Sequence, residues 1–201
     1  MENQNHAFNY AYLLKQVKAR VLLAQKKAIY TANEEMLSMY WDIGKLLSES
    51  QKQIGWGNNA LEKLANDLKN DYPEMKGFSV RNCQFMIQFY NEYNQQLTNT
   101  KRAVSYLNNN EIVLPVSKLG WSHNITLMQR TKDIKARYWY MIQCLKNGWS
   151  RDFLIEAIKQ DYYHSHGALA SNFDTTLPEI QAKQVKETLK DPYIFDMLTF
   201  T

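Results

Sequence analysis

The sequence predicts an all-α protein: one multi-helix domain with a long N-terminal helix or helix pair, followed by helix-turn-helix-like units. Three observations carry that expectation. Apolar residues recur at helical spacing over most of the chain. Helix breakers are few, with seven glycines and four prolines in 201 residues. Gly-Trp occurs three times, as Gly55-Trp56-Gly57-Asn58, Gly120-Trp121-Ser122-His123 and Gly148-Trp149-Ser150-Arg151, each time ahead of a helix-like run. Each unit offers a turn glycine, a large apolar anchor and a small polar residue suited to cap the next helix.

Taken in order, Tyr10 to about Ser50 contains no proline and only Gly44. Tyr10, Leu14, Val17, Val21, Ala24 and Ala28 keep to one face, and Ala32, Met36, Met39, Ile43 and Leu46 continue it. This is one very long helix or two helices with a joint near Thr31 to Asn33. Lys15, Lys18 and Lys26 flank the first part of the stripe on one side and Arg20 and Lys27 on the other, with no acid between Asn3 and Asn33. That split reads as a solvated helix surface in preference to a phosphate-contacting patch.

A helix from Asn58 to about Asn70 follows, closed off by Pro73. Ser79 is the expected N-cap of a helix running to about Gln96, with Val80, Cys83, Met86, Ile87, Tyr90, Tyr93 and Leu97 inward. Residues 98–119 break the pattern; Glu111 to Val116 reads as a short strand or apolar coil, which would make a wing, and any sub-division of the single domain 1–201 falls here. Helices are then expected from Ser122 to Thr131, Asp133 to Asn147 and Ser150 to Tyr163, with Ser122 capping the first of them. A loop from His164 to Thr176, a helix opened by Pro178 and a last short one opened by Pro192 complete the chain.

Composition narrows the function classes. The net charge of +4 is modest, with the basic excess in the body and a slightly acidic tail after Tyr163, so nucleic-acid binding is permitted without being required. Cys83 and Cys144 match no metal-ligand spacing, the N-terminus lacks a secretory pattern, and no run approaches roughly 18 apolar residues. A cytoplasmic protein with no membrane contact is expected.

Several motifs together point to a family. Tyr40-Trp41-Asp42-Ile43-Gly44, Gly55-Trp56-Gly57, Lys76-Gly77-Phe78-Ser79 with Arg81-Asn82, Trp121-Ser122-His123, Gly148-Trp149-Ser150, Asn172-Phe173-Asp174 with Leu177-Pro178, and Asp191-Pro192-Tyr193 with Phe195-Asp196 occur in that order. From about Tyr10 to Leu198 the chain resembles the N-terminal domain of the YhcG-type nucleases of the PDDEXK superfamily. The resemblance implies a helical, helix-turn-helix-like module that handles DNA for a restriction-type nuclease domain. That catalytic domain is not in the sequence, which ends about where the family's linker would begin, so the nuclease is expected in cis or in trans.

No residue set here reads as a catalytic site, and no cofactor is expected. A PDDEXK centre needs an Asp on one strand and Glu-x-Lys on the next to hold a divalent metal. Asp71 and Glu74-Met75-Lys76 supply the letters in a helix-to-helix connector, where no strand pair converges them. Ser122-His123 lacks an acid partner, and His164-x-His166 lacks a third ligand.

Duplex DNA is the expected partner. With Ser79 to Gln96 as reading helix, Arg81, Gln84 and Gln88 approach base edges, since Arg suits guanine and Gln suits adenine. Lys76, Ser79 and Asn82 stand at the helix start. Arg130, Lys132, Lys135, Arg137, Lys146 and Arg151, joined by Lys69, offer phosphate contacts. Phe85 fits an extended core or a protein interface better than a base-reading face. The alternative function is a protein-interaction module without DNA contact, in which the long first helix and Tyr138-Trp139-Tyr140-Met141 pair with another subunit or form a homodimer.

Overall fold

The computed structural model describes residues 10–54, 58–103, 115–167, 187–188 and 190–194. Its helices are α1 (Tyr10–Ile54), α2 (Asn58–Asp71), α3 (Val80–Ala103), α4 (Trp121–Arg130), α5 (Ile134–Asn147) and α6 (Arg151–Lys159). Short 3-10 turns at Lys76–Phe78 and Pro115–Lys118 precede α3 and α4, and a π turn occupies Tyr163–Gly167. Among the described residues there is no strand, as an all-α sequence requires.

The first helix is continuous through the expected joint at Thr31 to Asn33. Asn33 does not compete with its own backbone, because its buried amide donates to the carbonyls of Ser117 and Leu119 at 2.9 and 3.0 Å. From that point on α1 is part of the core: Met36, Leu37, Tyr40 and Leu47 are buried. It crosses α3 closely at Gly44, where an added Cβ would stand 2.1 Å from the Met86 carbonyl oxygen. Ser48 donates to the Asn91 side-chain oxygen of α3 at 2.7 Å. Before that point α1 is different, since every residue from Tyr10 to Gln25 is exposed.

α2 packs Leu61 beside Leu47 and Cys83 and ends ahead of Pro73. α3 starts where Ser79 caps it, its hydroxyl accepting from the Asn82 N–H at 3.2 Å. It runs on to Ala103, beyond the expected end at Gln96, through Thr98-Asn99-Thr100 and with no Gly or Pro to break it. Its buried side is Asn82, Cys83, Met86, Phe89 and Tyr93, whereas Val80, Ile87 and Tyr90 are half-buried. Phe89 takes the central place the periodicity did not give it.

The sequence between α3 and α4 corrects another expectation. Pro115 and Val116 belong to a 3-10 turn, not a strand, while residues 111–114 lie outside the described part. The turn is tied down on two sides: Asn124 donates to the Val116 carbonyl at 3.0 Å and Lys118 pairs with Glu34 of α1 at 2.6 Å.

Trp121 sits at the centre of the core, fully buried between Tyr40 and Phe89, whose ring centroids lie 5.0 and 5.2 Å away. Its indole N–H donates to the Asn82 side-chain oxygen at 2.7 Å. Two sequence halves therefore share one core across the segment 98–119. The Tyr138 to Met141 run belongs largely to that core as well, with Tyr140 and Met141 buried and Trp139 edge-on to Trp149 and Tyr163.

The Gly-Trp units serve two different geometries. Gly148 closes α5 in the left-handed region at φ 63° and its N–H returns to the Cys144 carbonyl at 2.8 Å. Ser150 then caps α6, accepting from Phe153 N–H at 3.2 Å, with half-buried Trp149 packed on Phe153. In the earlier unit Ser122 is not the cap. Gly120 holds that position, Trp121 is already helical, and the acceptor is the carboxylate of Asp191, which takes the Ser122 N–H at 2.8 Å. A Cβ on Gly120 would lie 2.7 Å from that same oxygen, so the glycine makes room for the distant cap. The third unit, Gly55-Trp56-Gly57, and the helix expected after Pro178 up to residue 186 lie outside the described residues.

Candidate nucleic-acid interface

Three helices meet around a cleft of about 300 Å³. The start of α3 contributes Ser79, Arg81, Asn82 and Phe85; α4 contributes Ser122, Ile125, Thr126, Gln129 and Arg130; α6 contributes Arg151 and Ile155; and Tyr193 closes the wall. Arg81, Arg130 and Arg151 are 70 residues apart from first to last in sequence and converge here, with no carboxylate among the described lining residues. The positions follow from local structure. Arg81 and Arg151 occupy the first turns of their helices, just after the capping serines Ser79 and Ser150. Arg130 ends α4, where its charge complements the carbonyl end of the helix.

All three arginines are exposed. The Arg81 guanidinium lies 5.6 Å over the Phe85 ring, which steadies it without neutralising it. Arg151 touches Asp152 at 3.2 Å, but with side chains 55% and 82% exposed the pair is weakly held and releases the guanidinium at little cost. Ile125 and Ile155 add apolar surface to the lining, and the starts of α3 and α6 border it. Such an arrangement suits phosphate, which guanidinium grips in two places.

Of the other expected contact residues, Ser79 and Asn82 line the cleft, and the rest whose side chains are described do not. Asn82 is corrected outright: it is buried, its amide donates to the Gly77 carbonyl at 2.6 Å and its oxygen accepts from Trp121. Asn82 lines the cleft, but its side chain is spent on holding α3 to the core. Arg137 is likewise turned inward, paired with Glu92 at 2.5 Å and bonded to the Thr131 carbonyl at 2.6 and 3.0 Å, so it is not a phosphate ligand. Gln88 donates to the same Glu92 at 2.6 Å. Gln84, Lys132 and Lys135 are exposed and do not line the cleft; Lys135 gives its backbone N–H to the Asp133 cap at 3.0 Å. Lys76 lies in the 3-10 turn before α3, and its side chain is outside the described part.

Residues that the sequence did not single out complete the site. Ile125, Thr126 and Gln129 line it because α4 presents one face to the α3 start, and Tyr193 arrives from a segment anchored by Asp191. Nothing in the local spacing of Ile125, Thr126 and Gln129 marks them, and Tyr193 figures in the sequence only as part of a family motif, not as a contact. Phe85 was expected to serve packing or a protein interface, and it lies under a cleft arginine.

The residues considered for catalysis do not assemble. Among the described residues no group of three His, Cys, Asp or Glu is placed to hold a metal ion. His123 is buried, its Nε2 3.0 Å from the Trp149 carbonyl, and burial holds its pKa below the usual 6.5. His164 and His166 stand in the π turn where a loop was expected, one bonded to Asp161 at 2.7 Å and the other to Ser165 at 2.8 Å. Burial pushes the Cys83 thiol up to about 11 and that of Cys144 further still, which leaves both unreactive. No described helix is long and apolar enough to cross a membrane.

These features define a class: an all-α module built around a long first helix, with a cationic cleft where three later helices meet. Residues 16–165 match the family model described as the DUF1016 N-terminal domain, and the chain belongs to that family, the N-terminal domain of the YhcG/DUF1016 proteins. No nuclease domain is matched in the chain. Neither a curated protein nor a solved structure matches it.

Proposed function

We propose that this domain is a non-catalytic DNA-binding module that positions a YhcG-type nuclease on duplex DNA. The observation that carries the reading is the convergence of Arg81, Arg130 and Arg151 on one cleft with no acidic residue among its described lining. A cleft of this size admits phosphate groups of one strand, and guanidinium contacts there fix the register of the duplex while carrying little sequence information. Sequence preference then falls to Gln84, an exposed polar group of α3 outside the cleft lining.

Fluorescence anisotropy with labelled duplex DNA across a salt series tests this. Binding should weaken steeply with salt, and the triple change Arg81→Ala, Arg130→Ala, Arg151→Ala should reduce the log–log slope by about 3, one unit for each lost phosphate contact. All three residues are exposed, so the folded state should survive the changes. Binding that ignores salt, or a slope unmoved in the triple variant, removes the reading.

A further inference from the structure

The first half of α1 leaves a seam uncovered. Tyr10, Leu14, Val17 and Val21 are 37–69% exposed, and they continue into Ala24 and Ala28. These six alternate by four and three residues, the a/d spacing of a two-stranded coil, over roughly 28 Å of helix. Leu13, Arg20 and Lys27 border the seam on one side, and Lys18 and Gln25 on the other. We propose that this seam pairs with the same seam of a second copy of the chain, in parallel and in register.

Three considerations select that occupant. In parallel register the residues facing one another across the seam are Leu13 with Lys18, Arg20 with Gln25, and Lys27 with Ala32, so no two like charges meet. An antiparallel pair centred on the same seam sets Arg20 against Arg20 and Lys18 against Lys18, which repel. Lys18 and Arg20 flank the seam, and the exposed Tyr12, Leu22 and Leu23 lie off it, so the segment lacks the single broad apolar face of an interfacial membrane helix. Two such faces together remove on the order of 1,000 Å² from water, the scale a specific interface requires. Small Ala24 and Ala28 near the body allow close approach, and the larger Tyr10 and Leu14 fill the far end.

Pairing of this kind relates the two arginine clefts by a twofold axis, yet it stands without the DNA reading and fails or holds separately from it. The test is sedimentation velocity on the full chain up to roughly 100 µM, without DNA. A dimer is expected. Val17→Asp with Val21→Asp should return it to monomer while the circular dichroism spectrum and melting temperature of the body stay in place; Leu23→Asp, on the opposite side of the same helix, should leave the dimer intact. Val17→Cys provides a second route, because Cys83 and Cys144 are buried: mild oxidation should give a dimer linked through position 17 on non-reducing gels. A monomer throughout the concentration range overturns the proposal. So does a dimer indifferent to the Val17 and Val21 changes, absence of the cross-link, or a monomer that instead sediments with vesicles of anionic lipid.

Discussion

The two halves of α1 share a backbone and a periodicity but not an environment. From Asn33 onward the stripe of Met36, Leu37, Tyr40 and Leu47 is buried against α3 and the α4 start, whereas from Tyr10 to Gln25 the equivalent stripe faces solvent. Helical spacing of apolar residues therefore reports a helix and one apolar face, and says nothing of what covers that face. The buried half has features the exposed half lacks: a glycine at the crossing with α3, a buried asparagine that ties in the turn before α4, and an aromatic that packs on Trp121.

Substitutions that treat the halves alike should separate them. The largest effect is expected from truncating leucines: Leu37→Ala should cost about 2–5 kcal/mol in chemical denaturation because it opens a cavity, while Leu23→Ala should stay within about 0.5 kcal/mol. Equal losses at the two positions would mean that the exposed half is packed after all in the folded monomer. A middle effect belongs to the boundary. Asn33→Ala removes the buried hydrogen bond to the Leu119 carbonyl and the partly buried one to the Ser117 carbonyl and should destabilise by about 1–3 kcal/mol, read as a lower unfolding midpoint. An unchanged midpoint would place the boundary of the core elsewhere.

The smallest effect concerns pH and confines itself to the body. Burial lowers the pKa of His123, opposed by its bond to the Trp149 carbonyl and by Asp191 and Glu187, so the net shift is what remains after opposing influences. A histidine whose folded pKa lies below its unfolded 6.5 binds fewer protons folded than unfolded. Its contribution to stability is full above that value and is lost as the pH falls from 6.5 through the folded pKa. Thermal melts should accordingly show a declining midpoint on acidification below 6.5, with a shallower decline in His123→Gln. A decline of equal slope in the variant would assign the acid sensitivity to other groups.

The cleft shows the same division between what is local and what is not. Serine capping and the placement of Arg81 and Arg151 in first turns were legible, because a cap and the residues after it are close in sequence. That Arg130 joins them was legible only as one basic residue among several. Asn82 and Arg137 look like surface ligands in the sequence and are instead buried partners of Trp121 and Glu92. A polar side chain satisfied inside a core has the same letter as one presented to a ligand, and only its partners tell them apart.

Sequence alone determined the all-α class, the helix starts at Ser79, Asp133 and Ser150, the stop at Gly148 and the membership of a family marked by ordered motifs. Those depend on propensity, capping and periodicity, which act within a turn or two of chain. Tertiary structure decided that α1 runs unbroken past Asn33, that Asp191 caps α4 from 69 residues away, and that three arginines meet while a fourth is buried. Those outcomes depend on which surfaces touch. Desolvation and hydrogen-bond satisfaction set the energy of a polar group through neighbours distant in sequence, and no local pattern records them.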